Sequence, residues 1–260
     1  MHGPLLGDIV GSTHERAATK HTDFPLLYRG SHFTDDSVLT VATAHAILTD
    51  GDFAAAYRTW ARRYPHAGYG GTFRRWFRDD TAGPYNSWGN GSAMRVAPVG
   101  WATTTVEECL ELARASAVVT HDHPHGIAGA EAIALAVFRL RHGATKPALR
   151  DELTTRFGYD LARTVESIRP GYTFDVSCQG SVPEAIIAFL DSDSVESAIR
   201  LAISLGGDAD TQACIAGALA EAAYGGVPAS LWALAAPLLS DPLANVTREF
   251  VARFNVPAPT

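Results

Sequence analysis

Apolar residues recurring every three or four positions constrain this chain more than any other feature. The pattern runs through Thr34–Leu48 (TDDSVLTVATAHAIL), Val106–Val119, Ile127–Gly143, Val182–Leu190, Val195–Leu205 and Thr211–Gly225. Such spacing gathers one apolar stripe on an α-helix and would scatter the same residues over both faces of a strand. Gly143 and Gly225 follow the last periodic residue, where helices commonly end. Alternating β-branched runs bounded by turn pairs are scarce. Alanine and glycine are abundant within the helical stretches, which lets helix backbones approach closely. No repeat period and no Pro/Gly/Ser linker divides the 260 residues. The expectation is an all-α fold, one compact domain over residues 1–260.

Hydrophobic residues make up 47% and charged residues 19%, enough apolar material for a packed core and too little charge for bulk disorder. The net charge of −7 argues against general binding to nucleic acid or a membrane surface, which rests on clustered positive charge. No stretch approaches the roughly 20 apolar residues needed to span a bilayer. Cys109, Cys178 and Cys214 stand far apart with no CxxC, a pattern of reduced thiols and not of a disulfide framework or thiolate zinc site. MHGPLLGDIVGS lacks the basic start and long apolar run of a signal peptide. A soluble, cytoplasmic, monomeric protein is expected. The longest irregular regions, Gly11–Phe33 and Gly68–Gly100, are rich in glycine and polar residues, as binding and active-site loops often are.

Two helix entrances carry more acid than a helix needs. Thr34-Asp35-Asp36-Ser37 opens one, and Gly206-Gly207-Asp208-Ala209-Asp210-Thr211 opens another. A single Asp, Ser or Thr there caps the free amides and suits the helix dipole. Paired carboxylates with adjacent hydroxyls exceed that role. Residues two apart do not share a helix face, so Asp208 and Asp210 converge only if the Gly206-Gly207 turn shapes the backbone first. Were the two entrances to face each other, the gathered carboxylates would need protons or cations. A donor set of oxygen alone suits Mg²⁺, Mn²⁺ or Ca²⁺ better than zinc.

Seven motifs in order, GDIVGSTHE (Gly7–Glu15), FTDDS (Phe33–Ser37), GYGG (Gly68–Gly71), SWGNGSAMR (Ser87–Arg95), THDHPHG (Thr120–Gly126), SVPEAI (Ser181–Ile186) and SLGGDADT (Ser204–Thr211), run through most of the chain. In these the sequence resembles the ADP-ribosylglycohydrolase family, of the dinitrogenase reductase-activating glycohydrolase and ADP-ribosyl-acceptor hydrolase type. The resemblance implies an all-α globule of orthogonal helices around a dinuclear centre of Mg²⁺ or Mn²⁺. It places Thr34, Asp35, Asp36, Asp208, Asp210 and Thr211 as metal ligands. The implied reaction is hydrolysis at C1″ of ADP-ribose, releasing ADP-ribose from a modified protein side chain or small molecule. Glu15 matches the position where the serine-specific hydrolases of the family carry a mobile acidic residue, and it is the expected catalytic residue. Asp8 would hold the loop or a metal-bound water.

The sequence has no P-loop and no GxGxxG, so the pyrophosphate would rest on backbone amides of glycine turns. Gly70 in GYGG and Ser87, Trp88, Gly89, Asn90 and Gly91 are the expected contacts, with the Trp88 indole near the ribose or phosphates. His121, His123 and His125 alternate along THDHPHG, and Pro124 is expected to break any helix there. The resemblance matches His121 alone to a substrate contact. Arg74, Arg75 and Arg78 read as a solvated helix face. Two rival classes remain open at this stage: an inert member that binds ADP-ribose or another nucleotide, and a Mg²⁺-dependent nucleotide pyrophosphohydrolase.

Overall fold

A computed structural model describes residues 1–260. It contains fifteen α-helices, one short 3₁₀-helix and no β-strand; an isolated bridge pairs Gly89 with Ser177. Two helices form the axis, α1 (His2–Gly11) and α13 (Ala209–Tyr224). All of α1 is buried, as is α13 from Ala209 to Ala222.

Their contact rests on a stripe of glycines four residues apart. A Cβ on Gly3 would lie 2.2 Å from the Gly217 carbonyl oxygen, and one on Gly7 would lie 2.0 Å from that of Ala213. At Gly11 it would lie 2.5 Å from Asp210 Cα. These are backbone atoms that no rotamer change can move aside, so only glycine permits the crossing. Glu221, near the far end of α13, accepts the amides of His2 (2.9 Å) and Gly3 (3.1 Å) and pairs with the Met1 ammonium. Burial pushes the Glu221 carboxyl up, but the ammonium and His2 together pull it down to about 2.

Around this pair stand α2 (Asp35–Leu48), α8 (Pro124–Arg141), α11 (Cys178–Leu190) and α12 (Val195–Ile203), each packed on α13. Outside them, α3 (Phe53–Arg63) and α15 (Asp241–Phe254) pack on α2. Likewise α7 (Val106–Val118) and α9 (Lys146–Phe157) pack on α8, and α14 (Ala229–Ala235) on α1. Short helices α4 (Gly71–Trp76), α5 (Gly91–Met94), α6 (Ala97–Ala102) and α10 (Val165–Ile168) punctuate the connections. One contiguous apolar cluster reaches from Met1 to Val256, so the chain is a single all-α domain. No helix is long and apolar enough to cross a membrane.

Three expectations need correction. Pro124 does not interrupt a helix: it is the first residue of the 18-residue α8, behind His123 as N-cap. A first-turn proline gives up an amide that has no helical partner anyway. The helix expected from Val182 already begins at Cys178, capped by the Ser177 hydroxyl on the Gly180 amide (3.0 Å), and carries Pro183 inside it. The irregular region Gly68–Gly100 contains α4, α5 and the start of α6. Arg74, Arg75 and Arg78 are exposed, as expected of a solvated face.

Candidate metal centre and cleft

The glycine stripe of α1 has a direct chemical result: it sets Asp8 beside the entrance of α13 and against that of α2. Asp8 is fully buried and spends both oxygens on α2. It accepts the backbone amides of Thr34 (2.9 Å) and Ser37 (3.0 Å), the Thr34 hydroxyl (2.6 Å) and the Ser37 hydroxyl. The first-turn amides of α2 are thus capped largely from another helix. Thr34 is the formal N-cap, and its hydroxyl accepts from the Asp36 amide at 3.3 Å. The Asp35 and Asp36 side chains are released from capping to face elsewhere.

At the second entrance Gly206 has φ +68°, the left-handed region, as a shaped turn requires. A Cβ on Gly207 would meet the Tyr172 ring at 2.4 Å. Asp208 occupies the N-cap position of α13 yet caps no amide; Asn90 Nδ2 donates to it at 2.7 Å. Asn90 also donates to the Ser181 hydroxyl (3.2 Å), tying the glycine turn, α11 and α13 together. Thr211 donates its hydroxyl to Asp36 Oδ2 at 3.3 Å, closing the gap between the two entrances.

The entrances do face each other. Carboxylate oxygens of Asp8, Asp36 and Asp210 all lie within 4.8 Å of one another, and all three residues are buried. Asp36 Oδ1 has no hydrogen-bond partner at all. Burial, and next the charge of Asp210, hold the carboxyls of Asp35, Asp36 and Asp208 well above the usual carboxylate range. The same two causes raise Asp8 to about 6. Buried oxygens under mutual repulsion, one of them unpartnered, fit a divalent cation, and a hard oxygen donor set fits Mg²⁺ or Mn²⁺. Asp8 joins this cluster, although its lone pairs are engaged by α2. Sequence reasoning gave it a supporting place; the glycine spacing ahead of it was the signal that would have put it inside.

Asp36 and Asp210 of this cluster, but not Asp8, line a cleft of about 530 Å³. Of the residues singled out from sequence, Glu15, Gly70, Ser87, Trp88, Gly89, Asn90, Gly91, His121, Asp35, Asp36, Asp208, Asp210 and Thr211 all line it. Thr34 does not; its hydroxyl is turned to Asp8. The glycine turn is braced by the loop ahead of α11, through Asn90 N to Val176 O (2.8 Å) and Cys178 N to Trp88 O (2.9 Å). Glu15 is exposed, and its carboxyl is raised by burial of part of its surroundings and by Asp210. Trp88 is 48% exposed, not a core residue, and Phe174 and Val176 stand exposed on the same rim. Those two, with Tyr85 and Asn86, are cleft residues that carried no motif and escaped the sequence reading. His123 and His125 do not line the cleft.

The comparisons with known proteins agree with this geometry. A family profile described as ADP-ribosylglycohydrolase matches residues 1–258. Mouse (Mus musculus) ADP-ribosylhydrolase ARH3 is 27% identical over 305 aligned positions, covering 86% of this chain and 82% of its own. The ADP-ribosyl-[dinitrogen reductase] glycohydrolase of Rhodospirillum rubrum is 28% identical over 219 positions, covering 77% and 71%. A solved structure described as an ADP-ribosylglycohydrolase-related protein complex superposes with a TM-score of 0.72 at 27% identity, covering 99% of this chain and 97% of that one. The chain belongs to the ADP-ribosylglycohydrolase family, and it is a hydrolase of the glycosidase type.

Proposed function

We propose that the protein hydrolyses the bond at C1″ of ADP-ribose, freeing ADP-ribose from a modified protein side chain or small molecule, with two divalent cations, Mg²⁺ or Mn²⁺, at the carboxylate end of the cleft. One observation carries this reading: the buried carboxylates of Asp36 and Asp210 line the same cleft as the glycine turn Ser87–Gly91 with its exposed indole. Asp35, Asp36, Asp208 and Asp210, with the hydroxyls of Thr34 and Thr211, would hold the ions. When bound, the ions supply Lewis acidity at the scissile bond and a lowered pKa for water.

The chain's own residues then have distinct tasks. Glu15 takes the proton of the attacking water; its raised pKa brings a carboxylate closer to the range in which it both accepts and returns a proton. Amides of Ser87–Gly91 and of the Gly70 turn receive the pyrophosphate oxygens, the indole of Trp88 covers the ribose, and His121 contacts the phosphates or the distal ribose. The reaction develops oxocarbenium character at C1″. The mouse relative aligns over 305 positions against a chain of 260, so it carries insertions absent here. Such insertions are where an acceptor would be read, and this shorter chain reads it with fewer loops.

Incubation with an ADP-ribosylated peptide and Mg²⁺ or Mn²⁺ tests the proposal. Release of free ADP-ribose, abolished by chelation and restored by the metal, is the expected result. Release of AMP from ADP-ribose with no loss of the peptide modification would replace it with pyrophosphate hydrolysis.

A further inference from the structure

Arg95 ends the SWGNGSAMR motif, and its side chain is the largest among those completely buried. No carboxylate pairs with it. The guanidinium lies over the Tyr57 ring at 4.0 Å, and its Nη2 donates to the Ser116 carbonyl (3.0 Å) and the Thr120 hydroxyl (2.9 Å). A guanidinium only donates, so Thr120 Oγ1 must be the acceptor in that last bond. The hydroxyl has one proton of its own to place. Its only other polar partner is Nδ1 of His121, at 2.7 Å.

The consequence runs one residue further. If the Thr120 proton points at Nδ1, Nδ1 is an acceptor, and the ring proton sits on Nε2. Nε2 has no protein partner, and it faces the cleft over two glycines: a Cβ on Gly91 would lie 3.2 Å from it and one on Gly89 3.8 Å. Burial, and next the Arg95 charge, hold His121 well below the usual histidine range, so the ring does not gain a second proton at neutral pH.

We propose that Thr120 is a positioning residue: with its oxygen occupied by Arg95, its hydroxyl donates to Nδ1 and fixes His121 as the Nε2–H tautomer, a hydrogen-bond donor to an anionic substrate oxygen. The identity of that oxygen rests on the ADP-ribose reading; the tautomer does not. The Nε2–H tautomer makes the histidine a selective element, since the opposite tautomer would present a lone pair to a phosphate and repel it.

Long-range ¹H–¹⁵N spectra of the ligand-free protein at pH 7 test this, with the His121 signals identified by their loss in His121→Gln. The wild type and Thr120→Ser are expected to show protonated Nε2 and bare Nδ1, whereas Thr120→Val gives a mixture of tautomers. With an ADP-ribosylated peptide, Thr120→Val raises KM by the inverse of the remaining Nε2–H fraction, about twofold for an even mixture, and leaves kcat unchanged. Thr120→Ser restores KM. A wild-type His121 carrying its proton on Nδ1, or an unchanged tautomer in Thr120→Val, overturns the proposal. Absence of any turnover in the wild type would instead count against the substrate reading, and the spectra would still decide the tautomer.

Discussion

The two acidic helix entrances look alike in sequence and are built in opposite ways. At α2 the amides are satisfied by Asp8, reaching across from α1, and the local aspartates are free for the cleft. At α13 the N-cap residue Asp208 caps nothing, and a side-chain amide from the glycine turn holds it instead. One entrance is therefore fixed by a carboxylate that gives up its own freedom, the other by a turn of two glycines. At α2 another helix does the capping, whereas at α13 Asp210 itself accepts the Thr211 amide at 3.0 Å.

The difference can be broken at either entrance. The largest effect is expected on activity: Asp36→Ala or Asp210→Ala should lower kcat/KM at least about 10³-fold, roughly 4 kcal/mol of transition-state stabilisation. Helical circular dichroism should stay near wild type: Asp36 caps no amide, and Asp210 accepts a single first-turn amide of α13, that of Thr211 at 3.0 Å. Retained turnover in either variant would dissociate the cluster from the chemistry.

Asp8→Ala should do the reverse of a pure activity loss. It orphans two backbone amides and the Ser37 hydroxyl in a buried place and leaves the Thr34 hydroxyl only a long bond to Asp36 (3.4 Å), which costs about 3–5 kcal/mol and lowers the midpoint of denaturant unfolding. A stable but inactive Asp8→Ala protein would move Asp8 from the frame to the ligands.

Stability against pH sharpens the comparison further. Asp8, Asp35, Asp36 and Asp208 all hold protons more tightly folded than unfolded. Their contribution is complete below the unfolded value near 4 and is lost as pH rises through the raised ones; for Asp8 that window runs from 3.8 to about 6. Glu221 has the opposite sign, but it acts only as pH falls from 4.5 towards about 2. Under chelation, Tm should fall as pH is raised from 5 to 7, and excess Mg²⁺ should flatten the slope by replacing those protons. A slope unchanged by Mg²⁺ in thermal melts would contradict cation binding at the cluster.

Thr34→Ala is expected to have the smallest effect, no more than about 1 kcal/mol in Tm-derived stability. Its own capping bond is long, at 3.3 Å, and Asp8 keeps both backbone amides. A larger loss would mean that α2 depends on its local cap after all.

Both entrances, the glycine turn and the cleft histidine were legible as short motifs, because polar residues packed beside glycine stand out from an apolar period. Helix α1 was not. It is short, with Pro4 and three glycines among its ten residues, and each of those reads locally as a helix breaker. Its stability comes from burial against α13, a tertiary cause that no local propensity reports. Pro124 failed in the same way: as a residue type it stops helices, while at the first position it starts one. Phe174 and Val176 reach the cleft only because their loop pairs with Trp88 and Asn90 across nearly ninety positions of chain, a juxtaposition no spacing rule contains.

The glycine crossing of α1 on α13 also sets a timetable. Gly3 and Glu221 are 218 residues apart, and the cluster requires both helices at once. During synthesis, α1 leaves the ribosome long before α13, and its all-buried surface waits for that partner. Contacts this distant close slowly, so the acidic centre is assembled among the final events of folding. Until then the three carboxylates are not gathered, and a cation held by them would report that both helices are in place.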